Sequence, residues 1–348
     1  MANVEPYYVV VDANIWVAER LLQSAIGSAF LYAVTGAKSS VLLPEVVELE
    51  IARVLPDMAE RAISVIRREL SLLRHLSGHN ISLVAPSALA IEEGIRERWK
   101  QLGGLLIRVP FTHDQAKSAL RRVIRKAPPS GDNNEQFRDC CIWEAALSMA
   151  ADRTVHLVSA DNAFYENRSR SAGLASVLRA ELETTQNEIH IHSSMKDFLA
   201  AMSPDAQAID ENAISEAITK AIMGHAREIA ANGDSTRSDA GFELGAVHRP
   251  KISGYATPKP STIAIFFEAS FELQRSIIED ETSSRDDAEM TLKGSCSYDP
   301  ITKELSEIEI REWQKNLKTA GGRVWGSASP DRAAFDRQYG PGKMRFIS

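Results

Sequence analysis

Apolar and polar positions follow two different periods along this chain, and the change of period divides it. In the first two hundred residues, short apolar runs stand at Tyr7–Val11, Val41–Leu43, Leu105–Val109, Thr154–Val158 and Ile189–Ile191. Continuous apolar runs of this length read as strands buried on both faces, the habit of parallel sheets. Between them the spacing is helical. Ile15, Leu22, Ile26 and Phe30 form one stripe in a helix expected from Asn14 to Ala33. Pro44 suits the first turn of a helix carrying Glu45, Glu48 and Glu50, and a further helix, Asp57 to His75, sets Ile63, Ile66, Leu70 and Leu73 opposite its arginines. More helices are expected over Ser87–Leu102, from Thr112 or His113 to about Lys126, and over Glu135–Ala151, which puts Asp139 in a first turn. Strands alternating with helices imply right-handed crossovers, hence an α/β fold with a parallel five-stranded sheet flanked by helices.

After Ser203-Pro204 the pattern is one long connecting helix, Ala206–Ala231, broken by the polar run Asn232–Thr236. From Gly241 the period becomes two. Ile263, Ile265, Phe267, Ala269, Phe271 and Leu273 share one strand face against Glu268, Ser270 and Glu272. Met290, Leu292, Cys296 and Tyr298 repeat the alternation, and Asp299–Thr302 reads as a hairpin turn into a strand with Ile308 and Ile310. The expected organisation is an α/β domain over 1–203, a helical connector and linker over 204–240, a small antiparallel β domain over 241–316 with one buried face, and an irregular tail over 317–348. There is no internal repeat, heptad run or low-complexity tract.

Composition changes this picture little. With 348 residues and 44% hydrophobic content the chain can build two real cores. A net charge of -7 argues against non-specific adhesion to nucleic acid by the whole molecule. Locally the balance reverses: between Ile51 and Ser130, Lys and Arg outnumber Asp and Glu about two to one. Arg67, Arg68, Arg121, Arg122, Arg125 and Lys126 are therefore candidates for a phosphate-binding surface, with solvated helix faces as the other reading. Three cysteines, two of them adjacent at Cys140-Cys141, make neither a disulfide framework nor a zinc spacing, which fits a reducing cytoplasm. No apolar run approaches bilayer length, so no membrane role is expected.

The chemistry is carried by acids. Val9-Val10-Val11 delivers Asp12 to the end of the first strand, Glu50 lies in the helix after the second, Asp139 opens the helix before the fourth, and Asp161 follows the fourth. In a doubly wound sheet those points gather at the C-terminal edge. Carboxylates brought so close repel one another and take up protons unless divalent cations neutralise them. Hard oxygen ligands favour Mg²⁺ or Mn²⁺, one or two ions, over zinc, and such a cluster suits phosphodiester hydrolysis.

The residues Val-Val-Asp12-Ala-Asn14, Pro44-Glu-Val-Val-Glu-Leu-Glu50, Arg138-Asp139-Cys-Cys-Ile-Trp-Glu-Ala-Ala and Val158-Ser159-Ala-Asp161-Asn-Ala-Phe164 resemble the successive motifs of PIN-domain nucleases. The resemblance spans residues 7 to about 200. It implies a metal-dependent endoribonuclease with Asp12, Glu50, Asp139 and Asp161 as metal ligands or their direct supports, Asn14 and Ser159 holding the cluster, and RNA as partner. Glu45 and Glu48 share the helix with Glu50, which is chosen because it lies six residues after the proline, as in the family pattern. The long helical insert and the C-terminal extension depart from a minimal member. Single-stranded or branched DNA stays open as substrate, and family habit suggests a toxin–antitoxin or defence setting.

Other features have plainer readings. His190 and His192 alternate on one strand face, as unliganded strand-end histidines commonly do. Cys140 and Cys141 suit helix packing, and Trp16 and Trp143 suit the core. No Gly-rich phosphate loop is present. A competing reading makes the fold a binding or scaffolding module that acts, or self-associates, through the C-terminal sheet.

Overall fold

A computed structural model describes residues 5–79, 84–131, 136–185, 188–202, 210–231, 242–259, 261–279, 282–317 and 323–326. The expected boundary at Ser203-Pro204 and the polar break at Asn232–Thr236 lie outside these, as does most of the tail. The chain divides into two compact units, Met1–Gln23 with Phe30–Met202, and Ser24–Ala29 with Ser203–Ser348.

The first unit runs β1 (Tyr8–Val11), α1 (Ala13–Ala18), α2 (Ala25–Gly36, whose residues up to Ala29 group with the second unit), β2 (Ser40–Pro44), α3 (Glu45–Ser77), α4 (Ala88–Leu102), β3 (Leu106–Val109), α5 (His113–Arg125), α6 (Phe137–Ala150), β4 (Val155–Val158), α7 (Ser176–Thr185), β5 (Ile189–His192) and α8 (Met195–Met202). Its five strands are all parallel in the order β3-β2-β1-β4-β5. The expected five-stranded parallel sheet with flanking helices is what forms. The chain leaves β1 toward β2 and later crosses to β4 on the other side, so the topological switch point lies between β1 and β4. Val9, Val10 and Val11 are fully buried there, as are Val155, Leu157 and Val158.

Two helical boundaries differ from the sequence reading. The single helix expected from Asn14 to Ala33 is two helices, α1 and α2, because Arg20, Leu21 and Leu22 take left-handed backbone angles, φ 52–59°. Each such residue costs on the order of 1–2 kcal/mol. Burial of Leu21 and Leu22 offsets this, and Arg98 donates to the carbonyls of Leu21 (3.0 Å) and Leu22 (3.1 Å). Conversely, the two helices expected after Pro44 are one, the 33-residue α3, which runs through Pro56. Its first turns bury Val47, Ile51 and Val54, while the half beyond Glu60 is largely exposed. The crossover helix α7 has no counterpart in the sequence reading, though a parallel β4–β5 pair requires a connection of this kind.

The second unit contains α9 (Glu211–Ala231), β6 (Glu243–Val247), β7 (Lys251–Ala256), β8 (Ile263–Glu279), β9 (Thr282–Tyr298), β10 (Leu305–Leu317) and β11 (Arg323–Gly326). The sheet is antiparallel, in the order β11-β10-β9-β8-β6 with β7 also on β8. Its alternation buries Ile265, Phe267, Ala269, Phe271, Leu273, Met290 and Leu292 in one cluster with Ile214, Ile218 and Ile222. The helix read as a connector thus supplies one side of this core. Of the tail read as irregular, Leu317 ends β10 and Arg323–Gly326 form β11, which pairs antiparallel with β10 at the sheet edge. Among the described residues, no helix is long and apolar enough to cross a membrane.

Gly294 in β9 admits no side chain. A Cβ there would lie 2.3 Å from the Glu309 carbonyl oxygen and 2.4 Å from Phe267 Cζ. Gly294→Ala is expected to destabilise the second unit by about 1–3 kcal/mol through overpacking, read as a lowered denaturation midpoint. An unchanged midpoint would show that β9 and β10 have room to part.

Candidate active site

Register brings the first acid to its place. Val11 of β1 pairs with Val158 of β4, and the Asp12 amide donates to the Val158 carbonyl at 3.0 Å, so Asp12 and Ser159 leave the sheet side by side. The Ser159 hydroxyl donates to Asp12 Oδ2 at 2.6 Å and accepts from the Asp161 amide at 3.1 Å. Asn14 Nδ2 donates to the same Oδ2 at 3.0 Å. Asp12 stands at the N-cap of α1 without making the side-chain cap, so its carboxylate faces the sheet edge instead. Ser159 is fully buried, and its carbonyl accepts from the Tyr165 hydroxyl at 2.8 Å, which anchors the turn that presents Asp161.

The other acids arrive on helices or on that turn. Glu50 lies in the second turn of α3, with its side chain only 10% exposed and ion-paired to Arg138 Nη1. Its neighbours are engaged elsewhere: Glu45 accepts from the Phe111 amide at 2.8 Å, and Glu48 holds Arg108 at 3.1–3.2 Å. Asp139 sits in the first turn of α6, partly buried. Asp161 accepts from the Ala163 amide at 2.8 Å and from Gln136 Nε2 at 3.3 Å.

These four acids share one electrostatic field. Burial pushes the Asp12 carboxyl up to about 7; Ser159 opposes the rise, and the charges of Asp161 and Glu50 add to it. Asp139 is raised well above the usual carboxylate range, first by burial, then by Asp161 and Asp12, with Arg138 opposing and Glu50 adding. Glu50 is the member of its helix trio whose charge acts on both. Among the described residues no three His, Cys, Asp or Glu side chains converge to hold an ion as they stand. The donor set nonetheless fits a hard divalent cation: it is all oxygen, its charges are compensated only in part, by Arg138, and Asn14 Oδ1 is buried beside Asp12 without a hydrogen-bond partner.

Several residues around the acids went unnoticed in the sequence. Gln136 links Asp161 to Arg168, whose Nη2 lies 3.5 Å from Gln136 Oε1. Arg170 donates to the Ala160 carbonyl and, at 3.2 Å, to Asn162 Oδ1. Nothing in their spacing marks them; only Arg138, adjacent to Asp139, stands inside a motif.

The candidate phosphate-binding cations separate. Arg122 is committed inside the fold: it pairs with Glu144 and Glu181, each at 2.5 Å, and donates to the Pro128 carbonyl at 3.2 Å, while Trp143 donates to Glu181 at 3.0 Å. Its side chain is 13% exposed, so its charge serves this network rather than a surface. Arg121, Arg125 and Lys126 are exposed on α5, whose Ala119 and Val123 pack with Val46 and Cys140 next to the acids. Arg67 and Arg68 are exposed on α3, about 25 Å along the helix from Glu50. His192 Nε2 lies 2.9 Å from His156 Nδ1 with the rings stacked, and His190 lies 2.9 Å from Glu188. Trp16, Trp143, Cys140 and Cys141 are buried.

A family model for the PIN domain matches residues 9–164, a span that contains all four acids. No match to the chain is found among curated proteins or among solved structures.

Two outcomes follow from the electrostatics. The folded-state pKa of Asp12 lies above its unfolded value, so the unfolded chain releases this proton first as pH rises. Without divalent ions, stability should therefore fall from about pH 4 to about pH 7, by up to about 4 kcal/mol from this group, and Asp139 adds in the same direction. Thermal melts of Asp12→Asn should show a shallower fall; an identical slope would place Asp12 in water. Arg122→Ala should cost about 3–5 kcal/mol in chemical denaturation, because Glu144 and Glu181 lose their cation. A loss below about 1 kcal/mol with weakened RNA binding would return Arg122 to the substrate surface.

Proposed function

We propose that the PIN domain in the N-terminal unit is a metal-dependent nuclease whose substrate is RNA. The observation that carries this reading is the clustering of Asp12, Glu50, Asp139 and Asp161, where burial and the neighbouring charges raise the pKa of Asp12 and of Asp139. Phosphodiester hydrolysis needs negative charge concentrated where a divalent cation and a phosphate can meet. The choice of RNA over DNA rests on the family resemblance.

Asp12, Glu50, Asp139 and Asp161 would hold one or two Mg²⁺ or Mn²⁺ ions, which supply Lewis acidity toward an attacking water and charge stabilisation at the leaving oxygen. Around them the protein's own groups set the geometry. Ser159 and Asn14 both donate to Asp12 Oδ2, which fixes the carboxylate plane. Gln136 and the Ala163 amide do the same for Asp161 Oδ1. The raised pKa of Asp12, about 7, suits it to take and return a proton near neutral pH while no cation neutralises it. Arg121, Arg125 and Lys126 on α5 would carry the flanking phosphates, and Arg67 and Arg68 a more distant stretch of strand.

The test combines Asp12→Asn with Asp139→Asn in the full chain, assayed with Mn²⁺ on RNA and DNA strands of one sequence. Cleavage of RNA by the parent and none by the folded double variant is expected. Equal cleavage by both would remove these acids from the chemistry. Calorimetric titration that finds no Mn²⁺ binding with all four acids intact would favour a scaffold acting through the second unit.

A further inference from the structure

Arg138 is a cation whose charge bears on the acid cluster, opposing the rise at Asp139. Its Nη1 is ion-paired with Glu50 Oε1, joining the first turn of α6 to the second turn of α3. The partners are unequally held: Glu50 is 10% exposed and fixed in the site, while Arg138 is 48% exposed on a long flexible stem. The guanidinium has solvent beside it to turn into, whereas the carboxylate does not. One positive charge cannot balance four carboxylates, and a divalent ion balances more of them.

We propose that Arg138 is a displaceable internal counter-ion, which occupies Glu50 while the acid cluster is without metal and yields it to an entering divalent cation. The proposal rests on the metal-dependent reading of the site. Once released, the guanidinium stays at the mouth of the site with its planar fork of donors, a geometry that matches phosphate oxygens. Arg138 is thus a positioning residue whose removal should help metal binding, the opposite of what a fixed support for Glu50 would do.

Calorimetric titration of Mn²⁺ into the full chain, at one pH and ionic strength, separates these roles. Arg138→Met should bind Mn²⁺ about tenfold tighter than the parent, the loss of one charge-assisted competitor, and Arg138→Lys should gain less. In a Glu50→Gln background the gain from Arg138→Met should shrink, because the contested carboxylate is gone. Equal or weaker Mn²⁺ binding by folded Arg138→Met overturns the proposal and leaves the metal-dependent reading standing. If Arg138→Met does not fold, Arg138→Lys decides by the same sign. Absence of Mn²⁺ binding in the parent and in both variants overturns the metal-dependent reading, and the proposal with it.

Discussion

The hydrogen bond from Ser159 to Asp12, 2.6 Å long and buried, ties together the two strands on which the candidate site depends. Because β1 and β4 are parallel and in register, the residues that follow them leave the sheet as neighbours, one a carboxylate and the other its donor. The same hydroxyl receives the Asp161 amide, so one buried serine orients two acids. A carboxylate this far from water is costly when ionised unless donors or cations surround it. The surrounding structure meets that requirement only in part. Ser159 and Asn14 serve Asp12, Gln136 serves Asp161 and Arg138 serves Glu50, while Asp139 keeps a strongly raised pKa. A set of acids left under-compensated at the switch point of a parallel sheet is a place prepared for positive charge.

The positive surplus between residues 51 and 130 divides between building the fold and facing solvent. Arg98 satisfies the carbonyls of a left-handed turn, Arg108 clamps Glu48, and Arg122 holds Glu144 and Glu181 together at the junction of α5, α6 and α7. What remains on the surface includes Arg121, Arg125 and Lys126 at the C-terminal end of α5 and Arg67 and Arg68 on α3. Charge counting along a chain treats all these cations alike. Burial distinguishes them, since a guanidinium with two carboxylate partners has no capacity left for a phosphate.

The second unit has its own logic. Period-two alternation on β8 and β9 gives one apolar face, and α9 supplies the isoleucines that cover it, so strand and helix periods meet in a single core. Close approach of β10 to β9 at Gly294 excludes even a methyl group. This packing needs no contribution from the acids, and the family match ends well before it begins.

Sequence alone determined the five parallel strands, the alternation of the second sheet and the four acids at strand and helix ends. Periodicity and β-branched runs report burial, and burial on both faces of a short strand admits few folds. Tertiary structure alone decided what local patterns could not carry. It broke the helix at Arg20–Leu22, because leucine burial and Arg98 outweigh backbone preference there, and it carried α3 through Pro56. It withdrew Arg122 into an ion-pair network and made a core element of the supposed connector helix. Among Glu45, Glu48 and Glu50, which the chain presents on a single helix, it directed two side chains to β3 and its following loop and one to the acids. Residues distant in sequence, Arg138 and Gln136 among them, acquire their partners only when α6 docks beside α3 and β4, and no one-dimensional spacing encodes that approach.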